Sequence, residues 1–338
     1  MYFCRQFLLI FVFFIKFFPL NALVLDEVKD RGYLICGVSE PRIGFANIDD
    51  NNNWIGFDVD MCRAVATAIF ADPSKVEFIP TTNRSRFPIL AGEEVDMLSR
   101  ITTWTFSRDV NLGFEFTGIN FYDGQGFMTR SSLNVFSAID LEGATICIIP
   151  GATSTFNIDT FFRKNNIKYV PVLVELDDEA FENFLSDRCD VYSNFITELA
   201  NKRISLANSS SFTILPDLIS KEPLGPLVRQ GDDQWRDVVS WSLKIMIIAE
   251  ELNITSLNID TYLETGNNNE ILRLLGYVGS YGDMIELDEK WAYNIIKQVG
   301  NYKEIYNRNL GPDTLLNLSR GLNNLYTEGG LLYSPPFR

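Results

Sequence analysis

The sequence predicts an α/β chain folded as two lobes joined by two crossings. Three observations carry that expectation. A chain of 338 residues has room for roughly two domains. Strand-like and helix-like runs alternate in two separate series, the pattern of parallel-rich sheets covered by helices. Two Gly-, Pro- and Ser-rich stretches, residues 123–135 and 220–233, stand where the chain can cross from one series to the other and back. Two crossings mean that the chain leaves the first lobe, builds the second and returns. The first lobe then takes residues 24–129 and 225–338, with a helical C-terminal extension, and the second takes residues 130–224.

The chain opens with MYFCRQFLLIFVFFIKFFPLNA, residues 1–22. Arg5 precedes a short apolar run over residues 7–15, far below the ~20 residues of a membrane span, and Ala22 supplies a small residue near a cut site. These features describe a secretory signal peptide; an uncleaved anchor or a buried N-terminal helix is the alternative. Lys16 interrupts the apolar stretch and Leu20 stands where a small residue is preferred, so the cut position stays open. Its removal leaves four cysteines: Cys36, Cys62, Cys147 and Cys189. An even count in an exported chain reads as two disulfides. Three pairings are allowed, and proximity favours Cys36 with Cys62 and Cys147 with Cys189; four buried free thiols are the competing reading.

After the signal, residues 33–38 are strand-like, and residues 58–70 carry apolar side chains at Val59, Cys62, Ala66 and Ile69 on one helical face. Residues 76–79 are strand-like again. The second series runs strand 145–149, a turn at Gly151 with a helix through Phe162, strand 169–174, helix 178–185 and strand 190–193. Beyond Trp235 the pattern is mostly helical.

Composition excludes several functions. With no histidine, the chain lacks Ser/His/Asp and Cys/His catalytic groups, His-ligated zinc and a His pH switch. A balance of 29 Lys plus Arg against 44 Asp plus Glu, net −15, argues against a nucleic-acid partner. The loop IDDNNNWIGFDVD spaces Asp49, Asn51, Asn53 and Asp60 like part of a calcium loop, but Trp54 stands where that loop needs Gly, and a hairpin turn is the better reading. The glycines of DGQGFM read as hinge or turn positions, without the spacing of a dinucleotide site. No metal and no cofactor are expected.

WIGFDVDMCRAVATAIF (54–70), EVDMLSRITTWTFSRD (94–109), FYDGQGFM (121–128), ISKEPLGPLVRQGDDQW (219–235) and EKWAYNIIKQVGNYKEIYNRNLG (289–311) together resemble the periplasmic general L-amino-acid-binding proteins of ABC-type uptake systems, within the family 3 extracellular solute-binding proteins. The resemblance spans residues 28–338. It implies a type II periplasmic binding fold, capture of an amino acid or amino-acid-like ligand by lobe closure, and delivery by a monomeric periplasmic protein to permease subunits at the inner membrane. It also implies site residues. Arg108 would pair with the ligand carboxylate, a task its planar guanidinium suits. Thr103 would add a hydrogen bond there, and Ile101 would offer main-chain groups. Gly151, Ala152 and Thr153 match a turn at a helix N-terminus whose free N–H groups suit an anion. Phe45 matches an aromatic packed over the ligand, and Asn83 matches a wall position. Bland readings stand beside these: Arg108 as a surface pair with Asp109, the threonines as helix caps, Phe45 as core.

One position departs from the resemblance. The family carries an Asp for the ligand ammonium five residues after the Asp of its RCDVY-like strand, and here that place holds Phe195. An unpaired buried ammonium is costly, so the amine goes to Asn194, Ser193 or a main-chain carbonyl, or the ligand carries an apolar or flat portion that stacks on Phe195. Position 101 also departs, with Ile where close relatives have a polar residue. An enzyme on the same fold, resembling cyclohexadienyl dehydratases, and an exported ligand sensor are the alternative functions.

Overall fold

The computed structural model describes residues 23–150, 152–262 and 268–338. The expected signal segment and Gly151 lie outside the described residues.

The first sheet is built around β1 (Leu34–Ser39), whose residues are buried except at Ile35 because the strand is central. It pairs in parallel with β4 (Val76–Thr81) and β5 (Met97–Leu98). The order is completed by β14 (Leu227–Arg229), antiparallel to β5, and β6 (Phe114–Phe116) at the edge. A small hairpin, β2 (Asn47–Ile48) with β3 (Trp54–Ile55), fills the loop with the calcium-like spacing. There Asp49 accepts the amides of Asn51 and Asn53, and Asp60 accepts from Arg308 and Asn309. The hairpin reading therefore holds, and both aspartates have local partners.

Helix α1 (Val24–Arg31) buries Val24, Leu25 and Val28 and stops at Gly32, whose φ of 83° closes a left-handed cap. Helix α2 (Phe57–Phe70) begins after Gly56, where a Cβ would lie 2.2 Å from the Phe45 carbonyl oxygen, so only glycine lets the loop pass. Helices α3 (Arg86–Ala91) and α4 (Phe106–Asn111) follow β4 and β5. In the second lobe come α5 (Thr153–Lys164), α6 (Asp177–Leu185) and α7 (Ile196–Ile204). The chain returns through α8 (Asp233–Glu251) and the extension α9 (Asn269–Leu274), α10 (Trp291–Gln298) and α11 (Tyr302–Asn309). Trp235, Trp291, Tyr302 and Tyr306 from this region are buried in one large cluster with α2 and β1. The extension thus completes the first lobe's core.

The second sheet runs β10 (Val170–Leu173), β9 (Thr145–Ile148), β11 (Val191–Phe195), β8 (Gln125–Arg130), β12 (Phe212–Ile214). Strand alternation divides its side chains between two cores. Phe127, Ile146, Ile148 and Val191 join the layer that holds Phe162, and Met128, Cys147 and Tyr192 join the opposite layer with Phe181 and Phe184.

Both disulfides follow the favoured pairing. Cys36–Cys62 ties β1 to α2, with Cα atoms 6.2 Å apart, and Cys147–Cys189 ties β9 to the segment before β11, at 5.8 Å.

The two crossings are β7 (Phe121–Asp123) and β13 (Glu222–Leu224), which pair antiparallel with Glu222 opposite Asp123. This corrects the expected boundary: residues 125–130 are not part of a crossing or of the first lobe, because β8 is hydrogen-bonded between β11 and β12. Among the described residues, no helix is long and apolar enough to cross a membrane.

Candidate ligand-binding cleft

In open α/β sheets ligands sit beyond the carboxyl ends of the parallel strands. At those ends of the first sheet three arginines gather. Arg86 opens α3 after β4, Arg100 follows β5, and Arg108 lies on α4. The Arg100 Nη1 donates to Asn83 Oδ1 at 3.0 Å and its Nη2 to the Thr81 carbonyl at 3.3 Å, while its Nε has no partner. Burial lowers its pKa to about 10, and the charges of Arg42 and Arg108 push the same way. Arg86 is 7% exposed, and among the described residues its side chain has no acidic partner and no hydrogen bond at Nε. Burial, with Arg100 and Arg108, moves it well below the usual arginine range. Its guanidinium lies 4.7 Å from the Phe87 ring centre, with Arg108 at 5.6 Å from the same ring. Arg108 makes no ion pair with Asp109 and donates from Nη1 to the Thr103 carbonyl at 2.9 Å. Three neighbouring guanidiniums without an ion-pair partner among the described residues are an arrangement that favours negative charge beside them.

Asp58, in the first turn of α2, pins the loop that carries Arg100. It accepts from Ser99 Oγ at 3.0 Å, the Ile101 amide at 3.1 Å and Asn120 Nδ2 at 3.4 Å. Burial pushes its pKa up to about 6 against those hydrogen bonds and the Arg100 charge. Ile101 has φ of 50°, a left-handed conformation that strains a β-branched residue. Its amide is held by Asp58, and strain of this kind persists only where surrounding bonds fix the loop.

The floor of the cleft is the hinge. Glu222 accepts from Thr103 Oγ1 at 2.6 Å, Asn157 Nδ2 at 2.7 Å and Ser220 Oγ at 2.6 Å. Asp123 accepts from Thr197 Oγ1 and, at 2.8 Å, from the Gly124 amide. Burial, aided by the Glu222 charge, pushes Asp123 up to about 6.

From the second lobe, α5 presents its N-terminus. Ala152 is its N-cap and Thr153 its first residue, with no side-chain cap; the Ala152 amide is already bonded to the Ile149 carbonyl. The lobes are in contact: Arg42 Nε lies 3.1 Å from Glu198 Oε2 and its Nη2 3.9 Å from Asp177 Oδ2. The molecule is therefore described in a closed state.

Several sequence expectations change. Phe45 is 2% exposed and packs edge-on to Phe57 and Phe121, which makes it part of the first lobe's core. Asn83 acts on Arg100. The Thr103 hydroxyl is committed to Glu222. Asn194 donates to Asp177 and Tyr192, and its Oδ1 already accepts the Phe195 amide, so its side chain is held by the second lobe's own network. Ser193 is likewise bonded to Gly126 and Gln125. Phe195 packs against the first lobe's apolar cluster, so its ring serves the contact between lobes rather than an open stacking face. Sequence reading missed Arg86, Arg100, Asp58, Asp123, Glu222 and Arg42. Position directly after a parallel strand was the available signal for Arg100.

Comparisons with known proteins complete the description. Residues 34–256 match the bacterial extracellular solute-binding proteins, family 3. The chain is 47% identical to the glutamate/glutamine/aspartate/asparagine-binding protein BztA of Rhodobacter capsulatus, over 94% of each chain. It is also 47% identical to the general L-amino acid-binding periplasmic protein AapJ of Rhizobium johnstonii, over 94% of each. A solved ABC transporter periplasmic binding protein from Brucella ovis, with glutathione bound, superposes with a TM-score of 0.90 at 46% identity, covering 94% of this chain and 100% of that one.

Proposed function

Because the chain belongs to the bacterial extracellular solute-binding proteins of family 3, we propose that it captures a free amino acid or a small glutamate-containing peptide by lobe closure, and hands it unchanged to an ABC-type permease. The reading places it in the periplasm, exported by residues 1–22. The observation that carries it is the charge pattern of the cleft. Arg86, Arg100 and Arg108 stand together at the strand ends of one lobe, none of them in an ion pair with an acid among the described residues although Asp58 and Glu40 act on Arg100 and Glu222 on Arg108, and the hinge carries two carboxylates. A zwitterion with a second acidic or amide group matches that arrangement, and the names of BztA and the glutathione complex point to the same ligand class.

Capture follows from differential contact. A ligand that touches the first lobe's arginines and the α5 N-terminus together binds the closed state more tightly than the open one, and so shifts the population toward closure. The permease then reads the closed shape.

The test is mass spectrometry of whatever the purified protein releases on denaturation, followed by calorimetry with L-glutamate, L-glutamine and glutathione. Arg108→Ala should weaken binding roughly 30-fold or more, since truncating one partner of a buried charge pair leaves the other uncompensated. Unchanged affinity in that variant would move the carboxylate site elsewhere.

A further inference from the structure

We propose that Glu222 and Asp123, opposite one another on the paired hinge strands, receive the ligand's ammonium in place of a carboxylate on β11. The inference rests on the reading that the cleft binds an amino acid, and it names the residues that recognise one end of it.

The strand β11 has no carboxylate to offer, and its polar side chains are already engaged. Phe195 is apolar and packed against the first lobe, Asn194 has its amide donors on Asp177 and Tyr192 and its oxygen on a main-chain amide, and Ser193 donates to the Gly126 carbonyl. The hinge has acceptors to spare. Directly opposed residues of an antiparallel pair project to the same face, about 4.5–5.5 Å apart at Cβ. Two carboxylates there repel, and among the described residues neither lies within ion-pair distance of a lysine or arginine, although Glu222 is only 2% exposed. A carboxylate has about four acceptor sites. Glu222 fills three of them, with Thr103, Asn157 and Ser220, and Asp123 fills three, with the Thr197 hydroxyl and the amides of Thr197 and Gly124.

These donors also fix the direction of the pair. Thr103 comes from the first lobe and Asn157 from the second, so Glu222 takes its final orientation only when the lobes meet, while Thr197 of the second lobe holds Asp123 beside it. Thr103 joins the two ends of the site: its carbonyl holds Arg108 and its hydroxyl holds Glu222. An α-amino acid has its carboxylate and ammonium on one carbon, and a site that reads both needs a cation and an anion flanking one short segment. Arg108 and Glu222 flank Thr103 in that way. An ammonium carries three donors and one positive charge, which suits the open acceptor sites and removes the repulsion between the two acids. The raised pKa of Asp123 has the same origin, burial beside a second carboxylate.

The experiment compares L-glutamate with glutarate, which keeps both carboxylates and lacks the amine. Calorimetry is run on the full mature chain, on Glu222→Gln and on Asp123→Asn, with a melting curve for each variant to confirm folding. The wild type should prefer L-glutamate over glutarate by 10-fold or more. Glu222→Gln should weaken L-glutamate binding roughly 10- to 100-fold while changing glutarate little, so that the preference collapses. Asp123→Asn should do the same to a smaller degree and carries the test should Glu222→Gln not fold. Adding Phe195→Asp to Glu222→Gln should recover part of the lost preference. An undiminished preference in both single variants overturns the proposal and leaves amino-acid binding intact. A wild type that binds neither L-glutamate, L-glutamine nor glutathione overturns the functional reading, and this proposal with it.

Discussion

Arg42 of the first lobe and Glu198 of the second form an ion pair across the cleft, Nε to Oε2 at 3.1 Å, with the Glu198 side chain only 4% exposed. The pair belongs to the closed state alone, since one partner moves with each lobe. Glu198 keeps Lys202 as a neighbour at 3.9 Å on its own helix, so opening does not leave it without a counter-charge.

Arg42→Ala should therefore favour the open form. Small-angle scattering of the ligand-free variant should give a larger radius of gyration than the wild type, and ligand affinity should fall several-fold through the lost closed population. Identical scattering profiles and equal affinity would show that the pair contributes nothing to closure.

The disulfide Cys147–Cys189 spans 42 residues and joins β9, which leads into the α5 N-terminus, to the segment before β11. Chain-entropy reasoning gives such a closure about 4 kcal/mol. Replacing both cysteines by Ala should lower the unfolding free energy by about 2–4 kcal/mol in a guanidinium titration. Ligand affinity should change much less, because no site residue is removed. An unchanged denaturation midpoint would contradict this account.

The sheet–helix alternation was legible because its elements are long enough to show periodicity: the strands at 34–39 and 76–81 and the helix at 57–70 lie where the apolar spacing predicts them. The hinge was legible as a pair of crossings but not as paired strands. Its strands are three residues long, and one contains Pro223, so neither shows an alternating pattern. Strand β8 was hidden by its glycine. Gly126 reads as a turn residue, yet it lies inside the strand because a Cβ there would meet Ile196 Cδ1 at 2.5 Å. Close packing, a long-range fact, set that residue. Glu222 escaped for a similar reason, since its partner Thr103 is 119 residues away. Arg86 and Arg100 look like ordinary surface charges in polar runs until the fold buries them.

Stability should depend on pH in a stated direction. Asp58 and Asp123 both have folded pKa values pushed up to about 6 from an ordinary value of 3.8. Asp58 faces Ser99, Asn120, the Ile101 amide and the Arg100 charge; Asp123 faces Thr197, the Gly124 amide, Glu222 and Arg42. Between about pH 4 and 6 the folded state then holds more protons than the unfolded one, so stability falls as pH rises through that window. Each group can contribute up to about 2–3 kcal/mol. The ligand-free protein should melt several degrees higher at pH 5 than at pH 7.5, and Asp123→Asn should flatten the dependence. A Tm that rises steadily from pH 5 to 7.5 would refute it.

Arg86 sets stability against binding. A guanidinium 7% exposed, without an acidic partner and close enough to Arg100 and Arg108 to feel their charge, is unfavourable in the empty protein. Buried charges replaced by apolar residues of similar volume often leave a protein equally or more stable, by about 1–4 kcal/mol. Arg86→Met should accordingly raise the unfolding free energy of the ligand-free protein by about 1–3 kcal/mol in a denaturant titration. The same substitution should weaken L-glutamate at least roughly 10-fold, because the second carboxylate loses its cation. A neutral amino acid without a side-chain carboxylate, such as L-alanine, should lose little. The selectivity for glutamate over alanine is thus the sensitive measurement. If Arg86→Met destabilised the empty protein and left that selectivity unchanged, Arg86 would be a structural residue and the arginine group would not read the ligand's side chain.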